Sequence, residues 1–329
     1  MINVAVIGVG AFGRNHARVY QQLQKQGDAV RLVGVVDSDV ARADAVAREY
    51  GTRAFGSVEQ LLTTHSEVQA ASVAVPTREH LNTARLLLQS GIDVLVEKPL
   101  AATLAEADEL IRLCKEHGRI AQVGHLERFN PAVRATSPLV SQPMFFEVHR
   151  LSVFTPRSLD VDVVLDLMIH DLDVVLSFVR SPVKEIRAVG LPILSGKVDI
   201  ANVRMEFDSG CVANFTASRV STERVRKLRF FQPQQYISLD YGRQDVLVFA
   251  VGQDGTPSAN PQIKVAKPEV AAEEPLHAEL KSFLHAVRER STPLVSLEDG
   301  RRALAVALDI VAAIAEHGKK VSLETLQRA

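Results

Sequence analysis

The sequence predicts two domains: an α/β domain built on a doubly wound parallel sheet, and then an α+β domain built on a mostly antiparallel open sheet. Three observations lead to this prediction. The chain has 329 residues, and about 150 residues per domain is typical. Strand and helix patterns alternate through residues 1–123, whereas strand patterns follow one another after residue 124. We therefore expect domains at residues 1–123 and 124–329.

The first domain alternates short apolar, β-branched runs with helical patterns. We predict strands at residues 2–7, 31–36, 71–75, 93–96 and 120–123. We predict helices at residues 14–25, 40–50, 78–90 and 104–117. Strands with near-continuous apolar residues are typical of a parallel sheet that is covered by helices on both faces.

The second domain begins with two helical patterns and continues with strands. The helices are predicted at residues 129–136 and 163–178. The strands are predicted at residues 185–189, 200–207, 211–220, 227–231, 235–239 and 246–251. Residues 252–275 are rich in Pro, Ala and Glu and are predicted to form an exposed loop, after which helices at 275–289 and 299–317 end the chain.

Composition excludes several classes of function. Lys and Arg number 38 against 39 Asp and Glu, so a general nucleic-acid binder, which needs a basic surface, is not expected. The two cysteines, Cys114 and Cys211, lie far apart with no metal-binding spacing, so neither a disulfide framework nor a metal site is expected. No signal peptide and no membrane-length apolar run is evident, and we expect a soluble, cytoplasmic protein.

A glycine-rich motif directly follows the first predicted strand. It reads Gly8-Val9-Gly10-Ala11-Phe12-Gly13, a G-x-G-x-x-G at a strand-to-helix turn. The first glycine permits the tight turn, the second lets the backbone approach a pyrophosphate, and the third lets helix and strand pack closely. The phosphates would bind the free N–H groups of the helix N-terminus. The first domain is therefore predicted to be a dinucleotide-binding Rossmann domain.

The acidic residue at the end of the second strand predicts which dinucleotide binds. Asp37 stands where a carboxylate accepts hydrogen bonds from the ribose hydroxyls and repels a 2′-phosphate. Ser38 and Asp39 follow, with no adjacent arginine to hold that phosphate. We expect NAD rather than NADP, although Arg42 lies close enough in sequence to reach the site.

The turn at the end of the strand predicted at residues 71–75 is a candidate for the nicotinamide half of the cofactor site. Val75 ends this strand and Pro76 and Thr77 follow it, with His80 three positions further on. Ligands of open α/β sheets bind at the carboxyl ends of the strands, which places this turn at the site. A proline-initiated helix start explains the same residues equally well.

Glu97, Lys98 and Pro99 follow the strand predicted at residues 93–96. A charged pair at a strand end is often only a surface turn. In the crevice at the carboxyl ends of the strands, however, a lysine can donate to a substrate hydroxyl and stabilise the developing alkoxide. We expect Glu97 and Lys98 to line the cofactor site and Lys98 to contact the substrate as well.

A polar stripe interrupts the apolar helix predicted at residues 163–178. Asp166, His170, Asp173 and Ser177 lie at i, i+4, i+7 and i+11, on one face. That face lines either a polar cleft or the solvent. Histidine is the usual proton acceptor near neutral pH, so we expect a cleft in which His170 is a base that Asp166 orients.

Two further segments are candidates for substrate contacts. The residues after the strand predicted at 120–123, namely His125, Glu127, Arg128, Phe129 and Asn130, suit either a substrate wall or a hinge with a helix cap. Between residues 216 and 229, five basic residues that include Arg219 stand against Glu223 alone, which is a local charge of +4. This stretch suits a diphosphate or, as is more common, a protected strand edge.

Together these residues resemble the Gfo/Idh/MocA family of sugar oxidoreductases along essentially the whole chain. The matching motifs are GVGAFG at 8–13, VPTREH at 75–80, EKP at 97–99 and D-x3-H-x2-D at 166–173. The resemblance implies that Lys98, Asp166 and His170 are the catalytic lysine, aspartate and histidine. Met168 stands where the family usually has glycine.

The segments GHLERFNP, LDLMIHDLDVV and TASRVS are similar to a subgroup, the UDP-N-acetylglucosamine 3-dehydrogenases of bacterial lipid A pathways. This resemblance implies oxidation of the sugar 3-hydroxyl by NAD, with the ketone passed to a partner aminotransferase. It also implies that Arg219 meets the UDP diphosphate. A homodimer or homotetramer through the outer face of the second-domain sheet is implied too.

The mechanistic hypothesis places the sugar nucleotide between the domains. His170 takes the hydroxyl proton and Lys98 stabilises the oxyanion, although either of them is able to hold the proton. Two alternatives stay open at this point. One is a dehydrogenase of a free polyol or monosaccharide such as an inositol, and the other is a catalytically silent dinucleotide sensor.

Overall fold

The computed structural model describes residues 1–155, 161–251 and 262–320, and these residues form two compact units. The first unit contains Met1–Leu126 and Glu274–Leu304. The second unit contains Glu127–Glu273 and the chain from Ala305 onward.

The first unit is built on a six-stranded sheet in which every neighbouring pair of strands is parallel. Its strands are β1 (Ile2–Ile7), β2 (Val30–Val36), β3 (Arg53–Phe55), β4 (Ala70–Val73), β5 (Asp93–Glu97) and β6 (Ala121–Gly124). The spatial order is β3-β2-β1-β4-β5-β6. Strands β2 and β3 therefore lie on one side of β1, and β4 to β6 lie on its other side. This is the predicted doubly wound arrangement, and the carboxyl ends of β1 and β4 flank its crevice.

Five helices connect these strands: α1 (Ala11–Lys25), α2 (Val40–Tyr50), α3 (Val58–Thr64), α4 (His80–Gln89) and α5 (Leu104–Glu116). The sequence prediction missed β3 and α3. Both are short, and β3 is only partly buried, so neither carries a long apolar pattern.

A helix from late in the chain completes the core of the first unit. This helix, α8 (Pro275–Glu289), buries Leu276, Leu280, Phe283 and Leu284 in the same cluster as Tyr20 of α1. The domain prediction had put all residues after 124 into the second domain, and the structure differs there. Hydrophobic periodicity predicts that a helix has a buried face but not which sheet covers it.

The second unit contains an eight-stranded sheet in the order β14-β13-β12-β11-β7-β10-β9-β8. Its strands are β7 (Phe145–Val153), β8 (Val183–Leu191), β9 (Ile200–Phe207), β10 (Val212–Ser221), β11 (Val225–Gln232), β12 (Gln235–Asp240), β13 (Asp245–Val251) and β14 (Ile263–Ala266). The pair of β7 and β10 is parallel and the other neighbours are antiparallel, which confirms the predicted mostly antiparallel sheet. Helices α6 (Pro131–Thr136) and α7 (Ile169–Phe178) also belong to this unit, and the unit boundary falls within α9 (Leu297–Lys320).

Two strands of this sheet were not predicted. Strand β7 lies between β10 and β11, yet its buried face carries Arg150 beside Phe146 and Val148, which breaks the apolar alternation. Strand β14 lies inside the predicted loop 252–275, of which residues 252–261 are outside the described part of the chain. The prediction of an unbroken loop was therefore wrong at β14.

The described residues also bear on the predicted absences. None of their helices is both long enough and apolar enough to cross a membrane. Within the same residues, no group of three or more His, Cys, Asp or Glu side chains is placed to hold a metal ion. Cys114 and Cys211 are both free thiols.

Candidate active site

The loop from Gly8 to Gly13 has the shape that a bound pyrophosphate requires. Gly8 has φ +83°, and a Cβ on it would lie 2.7 Å from the carbonyl oxygen of Ala74. A Cβ on Gly13 would lie 1.8 Å from the carbonyl oxygen of Gly8. Gly10, by contrast, faces open space, directly before Ala11 and the first N–H groups of α1. Two glycines therefore permit close packing and the third leaves the backbone accessible to a ligand.

Asp37 lies at the carboxyl end of β2 with its carboxylate nearly buried. Oδ2 accepts the N–H of Val9 at 2.9 Å, so the carboxylate is tied to the glycine-rich loop. Oδ1 accepts the N–H of Asp39 at 2.9 Å, and the Arg42 guanidinium lies 3.2 Å away. Arg42 also pairs with Asp39 at 3.0 Å. The carboxylates of Asp37 and Asp39 thus both pair with Arg42, the arginine that the sequence places near this site.

We expect the variant Asp37→Ser to lose its preference for NAD. Removal of hydrogen bonds to a charged group should raise the KM for NAD about 10-fold or more, and Arg42, which then keeps Asp39 but loses Asp37 as a partner, should tolerate a 2′-phosphate better. Steady-state kinetics with NAD and NADP measure the preference as the ratio of the two kcat/KM values. The control is Asp44→Ser, which changes an exposed carboxylate of α2. An unchanged ratio in Asp37→Ser would contradict the assignment.

His80 lies between two of the predicted cofactor-side turns. Its Nε2 lies 3.0 Å from the carbonyl oxygen of Val75, and its Nδ1 lies 3.0 Å from that of Pro99. Burial lowers the pKa of His80, which favours the neutral ring. Pro76 is exposed and Thr77 begins a 3-10 turn that leads into α4. The helix-start interpretation is therefore correct for these residues, and the turn still lies at the carboxyl end of the sheet.

Glu97 and Lys98 lie at the end of β5. The Glu97 side chain is buried and contacts His16 of α1, with 3.0 Å between Oε1 and Nε2. Lys98 is half-buried, and its backbone N–H donates to Oε2 of Glu97 at 3.3 Å. His125, directly after β6, is buried. Within this unit, Glu97 thus contacts α1 through His16, and the backbone of Lys98 is bonded to Glu97.

In the second unit, Asp166 and His170 lie where one helix changes its geometry. Val164–Met168 form a turn of π-helix, and α7 follows at Ile169. The wider turn changes the side-chain spacing on which the predicted stripe depended, and such turns are frequent at functional sites. Asp166 and His170 are half-buried, whereas Asp173 is fully buried 3.5 Å from the Arg128 guanidinium. Ser177 donates to the carbonyl oxygen of Val174.

A buried charge cluster that the sequence did not predict lies beside α7. The guanidinium of Arg150 donates to both carboxylate oxygens of Asp171, at 2.6 and 3.0 Å, and to Glu127 at 3.1 Å. Arg150 also lies over the ring of Tyr241, 5.1 Å from its centroid. Burial raises the pKa of Asp171, and the charge of Arg150 opposes that rise. Arg150, Glu127, Asp171 and Tyr241 are together called the Arg150 cluster below.

The segment after β6 is built into the second unit. Asn130 Oδ1 accepts the N–H of Ala132 and so caps α6, while its Nδ2 donates to Glu127 and to the carbonyl oxygen of Tyr241. Phe129 is buried and Arg128 is partly buried. The predicted helix cap is confirmed for Asn130. A substrate contact by Glu127, Arg128, Phe129 or Asn130 stays a prediction.

Arg219 is buried in the second unit and contacts its neighbours there. The guanidinium donates to the carbonyl oxygens of Val161 and Val198 and lies 3.5 Å from Asp199. These bonds hold the chain near residues 161 and 198 in place. The role of Arg219 as a diphosphate ligand stays a prediction.

Sequence reasoning missed His16, Arg150 and Asp171 as residues that contact the candidate site. One signal was available for Arg150, because an arginine breaks the apolar alternation of β7. Asp171 lies outside the polar stripe of Asp166, His170, Asp173 and Ser177, so the helical spacing did not single it out. His16 lies 81 positions from Glu97, and no local pattern indicates such a pair.

The comparisons with known proteins agree with this geometry. Residues 2–125 match the model of the oxidoreductase family with an NAD-binding Rossmann fold, and residues 140–234 match the GFO/IDH/MocA C-terminal domain. A UDP-N-acetylglucosamine 3-dehydrogenase from Acidithiobacillus ferrooxidans is 36% identical over 95% of this chain and 97% of its own length. The chain belongs to the GFO/IDH/MocA family. Residues 2–125 are thus the NAD-binding Rossmann domain of a GFO/IDH/MocA oxidoreductase.

A second relative and two solved structures are also similar to this chain. The scyllo-inositol 2-dehydrogenase (NAD(+)) of Bacillus subtilis is 28% identical over 67% of this chain and 68% of its own. The solved structure of the Acidithiobacillus enzyme superposes with a TM-score of 0.87 at 35% identity, covering 95% of this chain and 97% of that one. A levoglucosan dehydrogenase in complex with NADH and levoglucosan has a TM-score of 0.84 at 17% identity, which shows a shared fold alone.

Proposed function

We propose that this family member uses NAD to oxidise the 3-hydroxyl of UDP-N-acetylglucosamine to a ketone. The observation that carries the proposal is the 36% identity with the Acidithiobacillus 3-dehydrogenase, which extends over 95% of the chain. The inositol dehydrogenase is less similar and matches over 67% of the chain. Similarity over both units is what a shared sugar-nucleotide substrate would require.

NAD would be held by the loop at Gly8–Gly13 and by Asp37, with the turns at 75–77 and 97–98 on its nicotinamide side. The open space at Gly10 supports this placement, because a backbone that meets a pyrophosphate has to be accessible. When bound, NAD supplies the hydride acceptor for the reaction. His80 lies between the two nicotinamide-side turns, 3.0 Å from a carbonyl oxygen of each, and its neutral ring donates its one N–H to one of them.

Side chains of this protein accept the hydroxyl proton and stabilise the negative charge that develops on the oxygen. His170 accepts the proton of the sugar hydroxyl. Asp166, which lies in the π-helical turn Val164–Met168, orients the imidazole. Lys98 donates to the oxygen as negative charge develops on it. His125 and the residues 127–130 hold the sugar, and Arg219 meets the diphosphate.

The decisive experiment measures NADH formation with UDP-N-acetylglucosamine, with UDP-glucose and with free myo-inositol. Turnover of UDP-N-acetylglucosamine, identification of its 3-keto product by mass spectrometry and competitive inhibition by UDP would support the proposal. Turnover of inositol without inhibition by millimolar UDP would favour a polyol dehydrogenase. NADH binding without turnover of any substrate would indicate a sensor.

The proposed product leads to a proposed partner. A 3-keto sugar nucleotide is the substrate that a pyridoxal-type aminotransferase converts to a 3-amino sugar, and we place both enzymes in lipid A precursor synthesis. We further propose a cytoplasmic location, because NAD and nucleotide sugars are metabolites of the cytoplasm. Addition of such an aminotransferase and glutamate should convert the ketone to the amine in one vessel.

We also propose a homo-oligomer, a dimer or a tetramer, that forms through the outer face of the second-unit sheet. The side chains on this face include an aromatic row at one register position of four strands: Phe145, Phe231, Tyr236 and Phe249. The rings of Phe231 and Tyr236 stack at 4.8 Å, and Phe231 is 40% exposed. A partly exposed aromatic row suits a symmetric contact with a second copy.

The variant Phe231→Arg should therefore lower the oligomeric state. A charge placed in an apolar contact between two copies would be left desolvated, and two such charges would face each other across a symmetric contact. Sedimentation velocity at several concentrations measures the change. Leu86→Arg, at an apolar α4 residue of similar exposure in the first unit, is the matched control. A Phe231→Arg variant that sediments like the unmodified chain would contradict the proposed surface.

A further inference from the structure

A histidine and a glutamate form a buried pair inside the first unit, and the reaction proposed above assigns nothing to the histidine. His16 lies on α1 with no exposed surface, and Glu97 ends β5 with 7% exposure. The distance between His16 Nε2 and Glu97 Oε1 is 3.0 Å. Because a carboxylate accepts hydrogen bonds, we assign the ring hydrogen to Nε2.

The Glu97 carboxylate makes a second contact, with the backbone of the neighbouring lysine. Its Oε2 accepts the N–H of Lys98 at 3.3 Å. The carboxylate also packs against Gly124 of β6, where a Cβ would lie 2.7 Å from Oε1 and 2.8 Å from the carboxyl carbon. Only glycine leaves this space, so the carboxylate is confined between His16 and Gly124.

The imidazole in turn depends on Glu97. Among the described residues, no hydrogen-bond partner lies at Nδ1 of His16, which is buried as well. The ring otherwise meets Phe12 edge-on, with 5.4 Å between the ring centroids. Glu97 therefore supplies the polar contact that fixes how this ring is turned.

We propose that His16 and Glu97 are positioning residues for Lys98 and that they link it to the helix that begins at the phosphate-binding loop. Helix α1 starts at Ala11, directly after Gly10, and carries His16 one and a half turns further on. Glu97 joins that helix to the backbone of Lys98. The inference rests on the proposed function only for the role of Lys98; the link itself is a property of the first unit.

The link can be tested without any sugar substrate, through the chemical reactivity of Lys98. The full chain is acetylated with a limiting amount of acetic anhydride, with and without NADH, and peptide mass spectrometry reports how fast Lys98 reacts. His16→Leu removes the donor to Glu97. Tyr20→Phe is the matched control, because it removes another buried hydrogen bond of the same helix, to Ser72 at 2.9 Å, and leaves Glu97 untouched.

In the unmodified chain and in Tyr20→Phe, NADH should change the acetylation rate of Lys98. In His16→Leu this response should become smaller, because only the direct contact of bound NADH with the Lys98 turn remains, while the NADH Kd from fluorescence stays within about 3-fold, since the loop itself is intact. With UDP-N-acetylglucosamine, kcat should fall about 10- to 100-fold with little change in KM, the effect of a catalytic group that is misplaced by a fraction of an ångström. His16→Gln, which retains a donor, should recover part of both readouts.

A second variant covers the case in which His16→Leu does not fold. Gly124→Ala pushes the Glu97 carboxylate aside without changing any charge, and it should weaken the same NADH response. A Lys98 that responds to NADH normally in folded His16→Leu or Gly124→Ala would overturn the inference. If instead the unmodified chain oxidises no sugar nucleotide, the proposed function fails, and the acetylation experiment still decides the link.

Discussion

Lys98→Met and His170→Ala are each expected to lower kcat on UDP-N-acetylglucosamine by about 10²- to 10⁴-fold. The methionine keeps the bulk of the lysine and removes the donor that stabilises the oxyanion. The alanine removes the proposed base. Stopped-flow measurement of NADH formation in single-turnover experiments would separate these effects from slow product release.

The two variants also distinguish which group holds the proton. If His170 is the base, the activity of His170→Ala should recover partly at high pH, where hydroxide replaces it, and that of Lys98→Met should not. NADH affinity should change little in His170→Ala, because His170 is not among the residues assigned to NAD above. Lys25→Met and His285→Ala, at exposed positions, are the controls. Normal kcat in both Lys98→Met and His170→Ala would contradict the assignment of these two residues to catalysis.

Arg150→Met is expected to destabilise the chain by about 3–5 kcal/mol, because it leaves Glu127 and Asp171 as buried carboxylates without their cation. Methionine fills most of the volume but donates no hydrogen bond. Urea denaturation followed by circular dichroism measures the free energy of unfolding. Combining Arg150→Met with Glu127→Gln and Asp171→Asn should recover much of the loss, since the uncompensated charges disappear.

The loss in Arg150→Met should also depend on pH in a defined direction. Burial already raises the pKa of Asp171 in the folded chain, and removal of the opposing Arg150 charge raises it further. A carboxyl whose folded pKa lies above its unfolded value favours the folded state at low pH and loses that contribution as pH rises. The deficit should therefore be larger at pH 8 than at pH 5.

An exposed arginine with two carboxylate partners offers the matched comparison. Arg112 contacts Glu109 and Glu116 on the surface of α5, and Arg112→Met should change the unfolding free energy little at either pH. An Arg150→Met variant that is no less stable than Arg112→Met would show that the Arg150 cluster does not stabilise the second unit.

Local sequence patterns determined the fold class and the cofactor domain of this protein. The strand and helix periods predicted five of the six strands of the first sheet and four of the five helices that connect them. The glycine-rich motif and Asp37 lie where these patterns placed them. Such features are readable because a turn, a helix cap or a buried strand imposes its chemistry on residues that are near in sequence.

Tertiary structure alone decided which distant residues meet. Helix α8 lies in the first unit because its apolar face fits beside α1, and many sheet surfaces would satisfy the same pattern. His16 and Glu97 are 81 positions apart in the sequence. In the Arg150 cluster, Arg150 is 21 positions from Asp171 and 23 positions from Glu127. A buried polar side chain requires a hydrogen-bond partner. The neighbouring sequence does not reveal that partner, because residues far apart in the chain come into contact only when it folds.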